Sequence, residues 1–239
     1  MDIISFLASP VVDVILYPAI GLALGEVARR TYRHYGKTRP ARKIWDLSGD
    51  AYVVIESPPS FAKDEYVYTS YPATYAAIVE LQRFFAMYFK ETNLHIYNAE
   101  DFPTSHHNEN LIIFGGPVHN QVSKRMLEKL QPSVGFEGFD TVHKPSGDRH
   151  SARIENEKIV EDFGIVVARK NPFNREKRVL IFAGSRVYGN LGAARALFFP
   201  TLSEVRKVTH SKTDFDLIVG VDVIGEFVGQ TRLLYPKAS

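Results

Sequence analysis

The sequence predicts an α/β protein in which a mostly parallel sheet carries an antiparallel hairpin insertion and follows an N-terminal hydrophobic helix. Two segments predict the parallel sheet, because in each an apolar run ends in small residues and then gives way to a helical pattern. Short segments separated by glycines, at about 131–178, predict the hairpins. A mostly apolar stretch at residues 3–28 predicts the N-terminal helix.

The composition is that of a folded protein with one sizeable core and an appendage. The chain has 239 residues, of which 45% are hydrophobic and 23% charged. The 29 basic and 27 acidic residues nearly cancel, so the net charge gives no general attraction to nucleic acid. The absence of cysteine excludes a disulfide framework, thiolate catalysis and cysteine-ligated metal clusters.

Residues 1–30 are predicted to form a membrane anchor helix. At about 1.5 Å per residue, the apolar run is long enough to cross a bilayer core of about 30 Å. Basic residues follow the run and only Asp2 precedes it, so the positive-inside rule places the N-terminus outside and the C-terminal domain in the cytoplasm. The basic segment 31–49 is then a juxtamembrane linker that contacts membrane lipid.

Two other interpretations of this helix remain open. Asp13 lies near its middle, and Pro10 and Pro18 interrupt the pattern of helical hydrogen bonds. A helix that lies on the membrane or packs on a partner accommodates these residues, and an ordinary buried helix is the third possibility. If the helix spans the membrane, Asp13 should face another helix rather than lipid, which predicts a homo-oligomer.

Residues 50–239 are predicted to form the cytosolic domain, which begins with a strand, a helix and a second strand. A continuous apolar run at 51–55 lies between Gly-Asp and Ser-Pro-Pro, as is typical of a buried strand. Apolar residues at helical spacing follow at 71–90, with Pro72 at the start, where a helix tolerates proline. The short run at 94–97 predicts the second strand.

The rest of the domain is predicted to contain two strand-to-helix junctions, with hairpins between them and a closing hairpin after them. The hairpins follow from alternating segments bounded by glycines, and the junctions from apolar runs that end in small residues. The predicted elements are, in order, a strand at 111–114, a helix at 118–130, hairpin strands at 151–155 and 159–168, a strand at 179–182, a helix at 190–199, and closing strands at 215–223 and 230–235.

The first junction, Gly115-Gly116-Pro117-x-x-Asn120, is a candidate ligand site. Glycine lets a ligand approach the main chain closely and adopts unusual dihedral angles at little cost. Asn120 adds an amide one turn into the predicted helix. The alternative interpretation is a plain tight turn, which the same residues also form.

The second junction contains Gly184, Ser185, Arg186, Gly189 and Asn190. These residues supply backbone donors, a hydroxyl, a guanidinium and an amide at one helix start, which are the groups that hold phosphate or carboxylate. The spacing is neither that of the phosphate loop nor that of the dinucleotide fingerprint, so the predicted ligand is a nucleotide-like or other anionic small molecule. The alternative is close packing of the helix on a strand.

Three motifs of the chain together resemble a known module. They are Gly-Gly-Pro-x-x-Asn at 115–120, Asn-Pro-Phe at 171–173 and Ala-Gly-Ser-Arg-x-x-Gly-Asn-x-Gly-Ala-Ala at 183–194. Over roughly residues 50–235 the chain resembles the Rossmann-like module of prokaryotic surface-layer-type and membrane-tethered proteins. It departs from that pattern at Asn190, where the family often has threonine. The resemblance implies a Rossmann-like fold and a membrane or surface context, with no common enzymatic activity.

Three functions are compatible with these features. The first is a membrane-anchored cytosolic sensor or effector domain that binds a nucleotide-like or other anionic small molecule. The second is a membrane-tethered nucleotide-processing hydrolase, in which Glu56 at the end of the first strand would face the positive charge that develops on the ribose. The third is a structural or assembly protein without a ligand.

No cofactor, metal or nucleic-acid partner is predicted. His106, His107 and His119 flank the first junction, but no carboxylate or further histidine stands at a metal-ligand spacing from them. The basic linker is not accompanied by an aromatic platform for nucleic acid. These histidines are therefore expected in loops and at the surface.

Overall fold

The computed structural model of this chain describes residues 47, 49–56, 70–89, 92–196, 205, 207, 213–225 and 227–236. All of these residues belong to one compact unit. The predicted anchor at 1–30 and most of the linker at 31–49 lie outside them. Within the described ranges, no helix combines the length and the apolar character that a membrane span requires.

The described residues contain eleven strands, and three α-helices position the candidate site. The strands are β1 (Ala51–Ile55), β2 (Leu94–Asn98), β3 (Asn110–Phe114), β4 (Val134–Glu137), β5 (Asp140–His143), β6 (Asp148–His150), β7 (Arg153–Glu155), β8 (Lys158–Asn171), β9 (Asn174–Gly184), β10 (Phe215–Ile224) and β11 (Phe227–Tyr235). The helices are α1 (Ser70–Tyr88), α2 (Gln121–Leu130) and α3 (Val187–Ala196).

The main sheet has eight strands and is mixed. Its order is β11-β10-β8-β9-β3-β1-β2, with β7 paired to β8. The pairs β2-β1, β1-β3 and β3-β9 are parallel, whereas β9-β8, β8-β10, β10-β11 and β7-β8 are antiparallel. The structure is mostly β, with 48% strand against 24% helix. The predicted α/β fold with a mostly parallel, Rossmann-like sheet is therefore wrong.

The prediction failed at β8, which was expected to belong to an insertion. Instead, β8 lies inside the main sheet, antiparallel to both β9 and β10. The two-residue turn Pro172-Phe173 joins β8 to β9, and so short a connection permits only antiparallel pairing. A continuous apolar run indicates a strand buried on both faces but not the direction of that strand. Only β4, β5 and β6 form a separate antiparallel sheet.

The main sheet is buried on both faces. On one face, alternate residues of β3 and β9, such as Ile113 and Ile181, pack with Met126 of α2 and with residues of β4. The intervening residues point to the opposite face because side chains alternate along a strand. There Phe114 and Phe182 stack with their ring centroids 5.1 Å apart, and α1 and α3 pack against each other.

Candidate functional site

Three parallel strands end at the same edge of the main sheet. Glu56 follows β1, Gly115 and Gly116 follow β3, and Gly184 ends β9. A Cβ placed on Gly116 would lie 3.7 Å from the Gly184 carbonyl oxygen, so the two predicted junctions are neighbours. We call the residues 56, 115–116 and 184–186 the carboxyl edge. Open α/β sheets bind ligands outside the carboxyl ends of their strands, which makes this edge the candidate site.

Gly115 has a structural role at this edge. Its φ of +103° lies in the region that favours glycine, and a Cβ there would be 2.9 Å from Glu56 Oε2. Its amide donates to the Phe182 carbonyl oxygen at 2.9 Å, so this donor is already used. The turn therefore requires glycine at position 115 whether or not a ligand binds.

Asn120 is the N-cap of α2 and not an open ligand group. Its side chain is fully buried, and its Oδ1 accepts from the amides of Val122 at 3.0 Å and Ser123 at 2.9 Å. Its Nδ2 donates to the Phe114 carbonyl oxygen at 2.9 Å. Asparagine is among the preferred N-cap residues, so Asn120 itself was a signal for the start of this helix. The helix was nevertheless predicted to begin earlier, at residue 118.

The start of α3 is closed by a carboxylate of the protein itself. Asp162 of β8 is fully buried. Its Oδ1 accepts from the Ser185 hydroxyl at 2.9 Å and from the Phe163 amide at 2.8 Å, and its Oδ2 accepts from the Gly189 amide at 2.6 Å. The Ser185 hydroxyl and the Gly189 amide, which were predicted to bind an external anion, therefore bind the carboxylate of Asp162. Asp162 was not among the residues predicted from the sequence.

Two opposing effects act on the ionisation of Asp162. Burial raises the pKa of this carboxyl, because the charged form loses its hydration. The hydrogen bonds from Phe163, Ser185 and Gly189, together with the Arg186 backbone, act in the opposite direction and favour the charged form. An external anion would compete with Asp162 for the same donors, so this part of the edge is a poor anion site.

Asn190 also turns inward. It is 4% exposed, and its Oδ1 accepts from the Gly184 amide at 2.6 Å. This bond ties the first turn of α3 to the last residue of β9. Asn190 and the Gly184 amide therefore satisfy each other and form part of the framework of the edge.

The glycines of the second junction allow α3 to lie very close to the main sheet. A Cβ on Gly189 would be 2.1 Å from the Phe163 carbonyl oxygen, and one on Gly164 would be 2.4 Å from the Gly189 carbonyl oxygen. A Cβ on Gly184 would be 2.4 Å from the Arg186 carbonyl oxygen. Close packing, which the sequence left as the alternative at Gly192, Ala193 and Ala194, is also what the geometry shows at Gly192, where a Cβ would be 2.0 Å from Val221 Cγ1.

Arg186 differs from its neighbours because its side chain points away from the start of α3. The guanidinium lies over the ring of Phe139, with Cζ 4.0 Å from the ring centroid. Its Nε is buried and has no hydrogen-bond partner among the described residues. Phe139 belongs to the two-residue turn between β4 and β5 and is 61% exposed. The small sheet thus reaches the carboxyl edge through this contact.

Two of the three histidines near the first junction pack in an aromatic cluster away from the edge. His106 stacks on Tyr52 with ring centroids 4.3 Å apart, and His107 stacks on Phe102 at 5.3 Å. His107 is 8% exposed, and burial together with Arg125 lowers the pKa of its imidazole. Within the described part of the chain, no group of three histidine, aspartate or glutamate side chains has a metal-binding arrangement.

The predicted residues at the carboxyl edge and at the start of α3 therefore divide into a framework and a smaller set outside that framework. The framework consists of Gly115, Asn120, Gly184, Ser185, Gly189 and Asn190. Gly116, Arg186 and Glu56 are the remaining sequence-predicted residues at the edge. No protein-family model matches this chain, and no curated protein matches it either. The resemblance to the surface-layer-type module stays a prediction. The geometry of the carboxyl edge is what supports a function.

Proposed function

We propose that the protein is a membrane-anchored sensor or effector whose carboxyl edge binds a small anionic molecule of the nucleotide type. The observation that supports this most directly is the position of Arg186. Its guanidinium is stacked on Phe139, and its backbone lies two residues after Gly184, whose carbonyl oxygen would be 3.7 Å from a Cβ placed on Gly116. It adds a positive charge to the edge that also contains Gly116, whose main chain carries no side chain.

The contact with Phe139 prepares Arg186 for an anion. A guanidinium over an aromatic ring gains about 0.5–1 kcal/mol at an exposed site, which restrains a side chain that would otherwise sample many rotamers. The planar group keeps its N–H donors in a fixed fork that matches phosphate or carboxylate oxygens. A buried N–H without a partner costs about 1–3 kcal/mol, so an acceptor that reached Nε would add to binding.

Asp162 determines which side of the edge the ligand uses. It holds the donors of Ser185 and Gly189, so the negative charge of the ligand has to be met by Arg186 instead. Gly116 has no side chain at this edge, and the Gly184 carbonyl oxygen would be in ordinary van der Waals contact, at 3.7 Å, with a Cβ placed there. The proposed site therefore comprises Gly116 and Arg186, and it no longer includes the start of α3.

Replacing Arg186 with alanine is expected to weaken nucleotide binding about 10- to 100-fold, because hydrogen bonds to charged groups contribute roughly 1.5–3 kcal/mol. Thermal shift with a panel of nucleotides finds the ligand, and titration calorimetry on the full chain measures its affinity. Arg175→Ala is the matched control, since Arg175 is exposed on β9 near the opposite end of that strand. The control is expected to bind as tightly as the unsubstituted chain.

A structural or assembly function makes the opposite prediction. If the glycines serve only close packing, no nucleotide stabilises the chain and Arg186→Ala melts at the temperature of the unsubstituted protein. That pair of results would reject the binding function and leave the assembly function, together with the predicted homo-oligomer, as the better account.

The anchor has its own test, which does not depend on the ligand. We expect the full chain to stay with the membrane after alkaline extraction, because residues 1–30 are mostly apolar. A chain shortened to begin at Arg42 keeps the buried Leu47 and is expected in the soluble fraction. Full-length protein that appears only in the soluble fraction would exclude both the anchor and the proposed lipid contact of segment 31–49.

A nucleotide-processing hydrolase is the second candidate, and the position of Glu56 favours it. This carboxylate packs against Gly115, at the same edge as the proposed anion site. Glu56→Gln keeps the shape of the side chain and removes its charge. Nucleotide turnover that is lost in Glu56→Gln while binding persists would establish the hydrolase, whereas binding without turnover in the unsubstituted chain would reject it.

A further inference from the structure

We propose that Phe139 is the stacking partner for an aromatic ring of the ligand, so that the site selects nucleoside phosphates over phosphates that lack a base. This inference rests on the proposed function, because it concerns the same site. It adds the chemical class of the second half of the ligand: a flat aromatic ring system that lies within a few ångströms of the negative charge held by Arg186.

The turn that carries Phe139 is held in place although the ring itself is exposed. Glu137 and Asp140 flank the turn and pair with each other across the β4-β5 hairpin. Arg149 forms an ion pair with Glu137, and the Ser151 hydroxyl donates to Asp140 Oδ1 at 2.7 Å. Both flanking residues are therefore tied to neighbouring parts of the chain.

The base of this hairpin is anchored in the core. Val134, at the start of β4, is fully buried, and Phe136 is partly buried against the same hydrophobic cluster. The small sheet thus packs on the main sheet and presents Phe139 at its tip. An aromatic side chain on such a support is pre-organised, and a ligand that stacks on it loses less free energy to ordering than it would on a mobile loop.

Arg186 and Phe139 form one composite surface. The guanidinium covers part of the ring, yet 61% of Phe139 remains exposed, so a flat group can still reach the ring. Bases stack on aromatic side chains in many proteins, with little dependence on which base is present, because every base has a π face. A cation and an exposed aromatic ring in contact match the phosphate and the base of one nucleotide.

The test compares ligands that differ only in the base. Calorimetry on the full chain in detergent would use the monophosphates of adenosine, guanosine, cytidine and uridine, with ribose 5-phosphate as the base-free reference. We expect the nucleotides to bind about 5- to 150-fold more tightly than ribose 5-phosphate, which is the fold-change that stacking of one base supplies. Purines should gain more than pyrimidines because their rings are larger.

Three variants assign this difference to Phe139. Phe139→Ala should remove the preference for nucleotides and weaken ribose 5-phosphate binding by no more than about 2- to 5-fold, through the lost contact with Arg186, whereas Phe139→Trp should keep the preference. Phe227→Ala is the matched control, since Phe227 is also an exposed phenylalanine at a hairpin turn, at 79% exposure. It should bind all five compounds like the unsubstituted chain.

The outcomes separate this inference from the proposed function. Equal affinities for ribose 5-phosphate and the nucleotides would overturn stacking and leave the anion site in place. An equal loss of affinity for nucleotides and for ribose 5-phosphate in Phe139→Ala would also overturn stacking, because Phe139 would then only support Arg186. If none of the five compounds binds, both the inference and the proposed function are rejected.

Discussion

Replacement of Asp162 by alanine is expected to lower the free energy of unfolding by about 3–5 kcal/mol. The substitution leaves the amides of Phe163 and Gly189 without their acceptor in a buried site, and the partly buried hydroxyl of Ser185 loses its acceptor as well. Each buried donor without a partner costs about 1–3 kcal/mol. The start of α3 also loses the side-chain oxygen that accepts from the Gly189 amide in its first turn.

Urea unfolding of Asp162→Ala, of a second variant at the same position and of a control variant measures this loss of stability. Asp162→Asn keeps one carbonyl oxygen and the volume of the side chain, so its loss should be about half that of the alanine variant. Asp148→Ala is the control, because Asp148 is exposed on β6 and its replacement should change stability by less than about 0.5 kcal/mol. A loss below about 1 kcal/mol in Asp162→Ala would show that another group closes the helix start.

Gly189→Ala is expected to destabilise the protein by about 3 kcal/mol or more, at or above the upper end of the range for overpacked sites. The added methyl group would lie 2.1 Å from the Phe163 carbonyl oxygen, a distance that real Cβ atoms do not show. That oxygen belongs to β8, whose residues at this point pair with β10 on one side and β9 on the other. Because β8 is held on both sides, α3 has to move instead.

Gly116→Ala is the matched control for this substitution. The nearest atom to its added methyl group is 3.7 Å away, which is an ordinary van der Waals contact. Its stability should stay within about 0.5 kcal/mol of the unsubstituted chain. Melting curves distinguish the two glycines directly, and a Gly189→Ala protein that melts like Gly116→Ala would contradict the close approach of α3 to β8.

Local sequence patterns located several elements correctly. The first strand was predicted at 51–55 and is β1 (Ala51–Ile55), because an apolar run between turn residues reports burial directly. The closing hairpin is confirmed as the antiparallel pair β10-β11, although its second strand begins earlier than predicted, at Phe227. Both glycine junctions were predicted at the ends of buried strands and are found there, whereas their neighbouring positions come from the pairing of β3 with β9.

The sequence could not predict how the candidate site is filled. Ser185 and Gly189 have the composition of an anion site, and they do hold a carboxylate, but it is that of Asp162, more than twenty residues away in the chain. Nothing near Asp162 in the sequence distinguishes it from Glu155 and Glu157, which are exposed, or from Glu161, which is partly buried. Arg186 likewise has no local signal for its contact with Phe139, because that contact joins the two separate sheets.

The sequence by itself determined where the strands are buried and where small residues let a helix approach them, because hydrophobicity and residue size act locally. Only the tertiary structure decided that β8 lies inside the main sheet between β9 and β10, and which partner each polar group at the carboxyl edge has. Pairing direction depends on the short turn between β8 and β9, and hydrogen-bond partners depend on which strands become neighbours. The same long-range pairing closes the start of α3 with Asp162 and leaves Arg186 as the cation on which the proposed function depends.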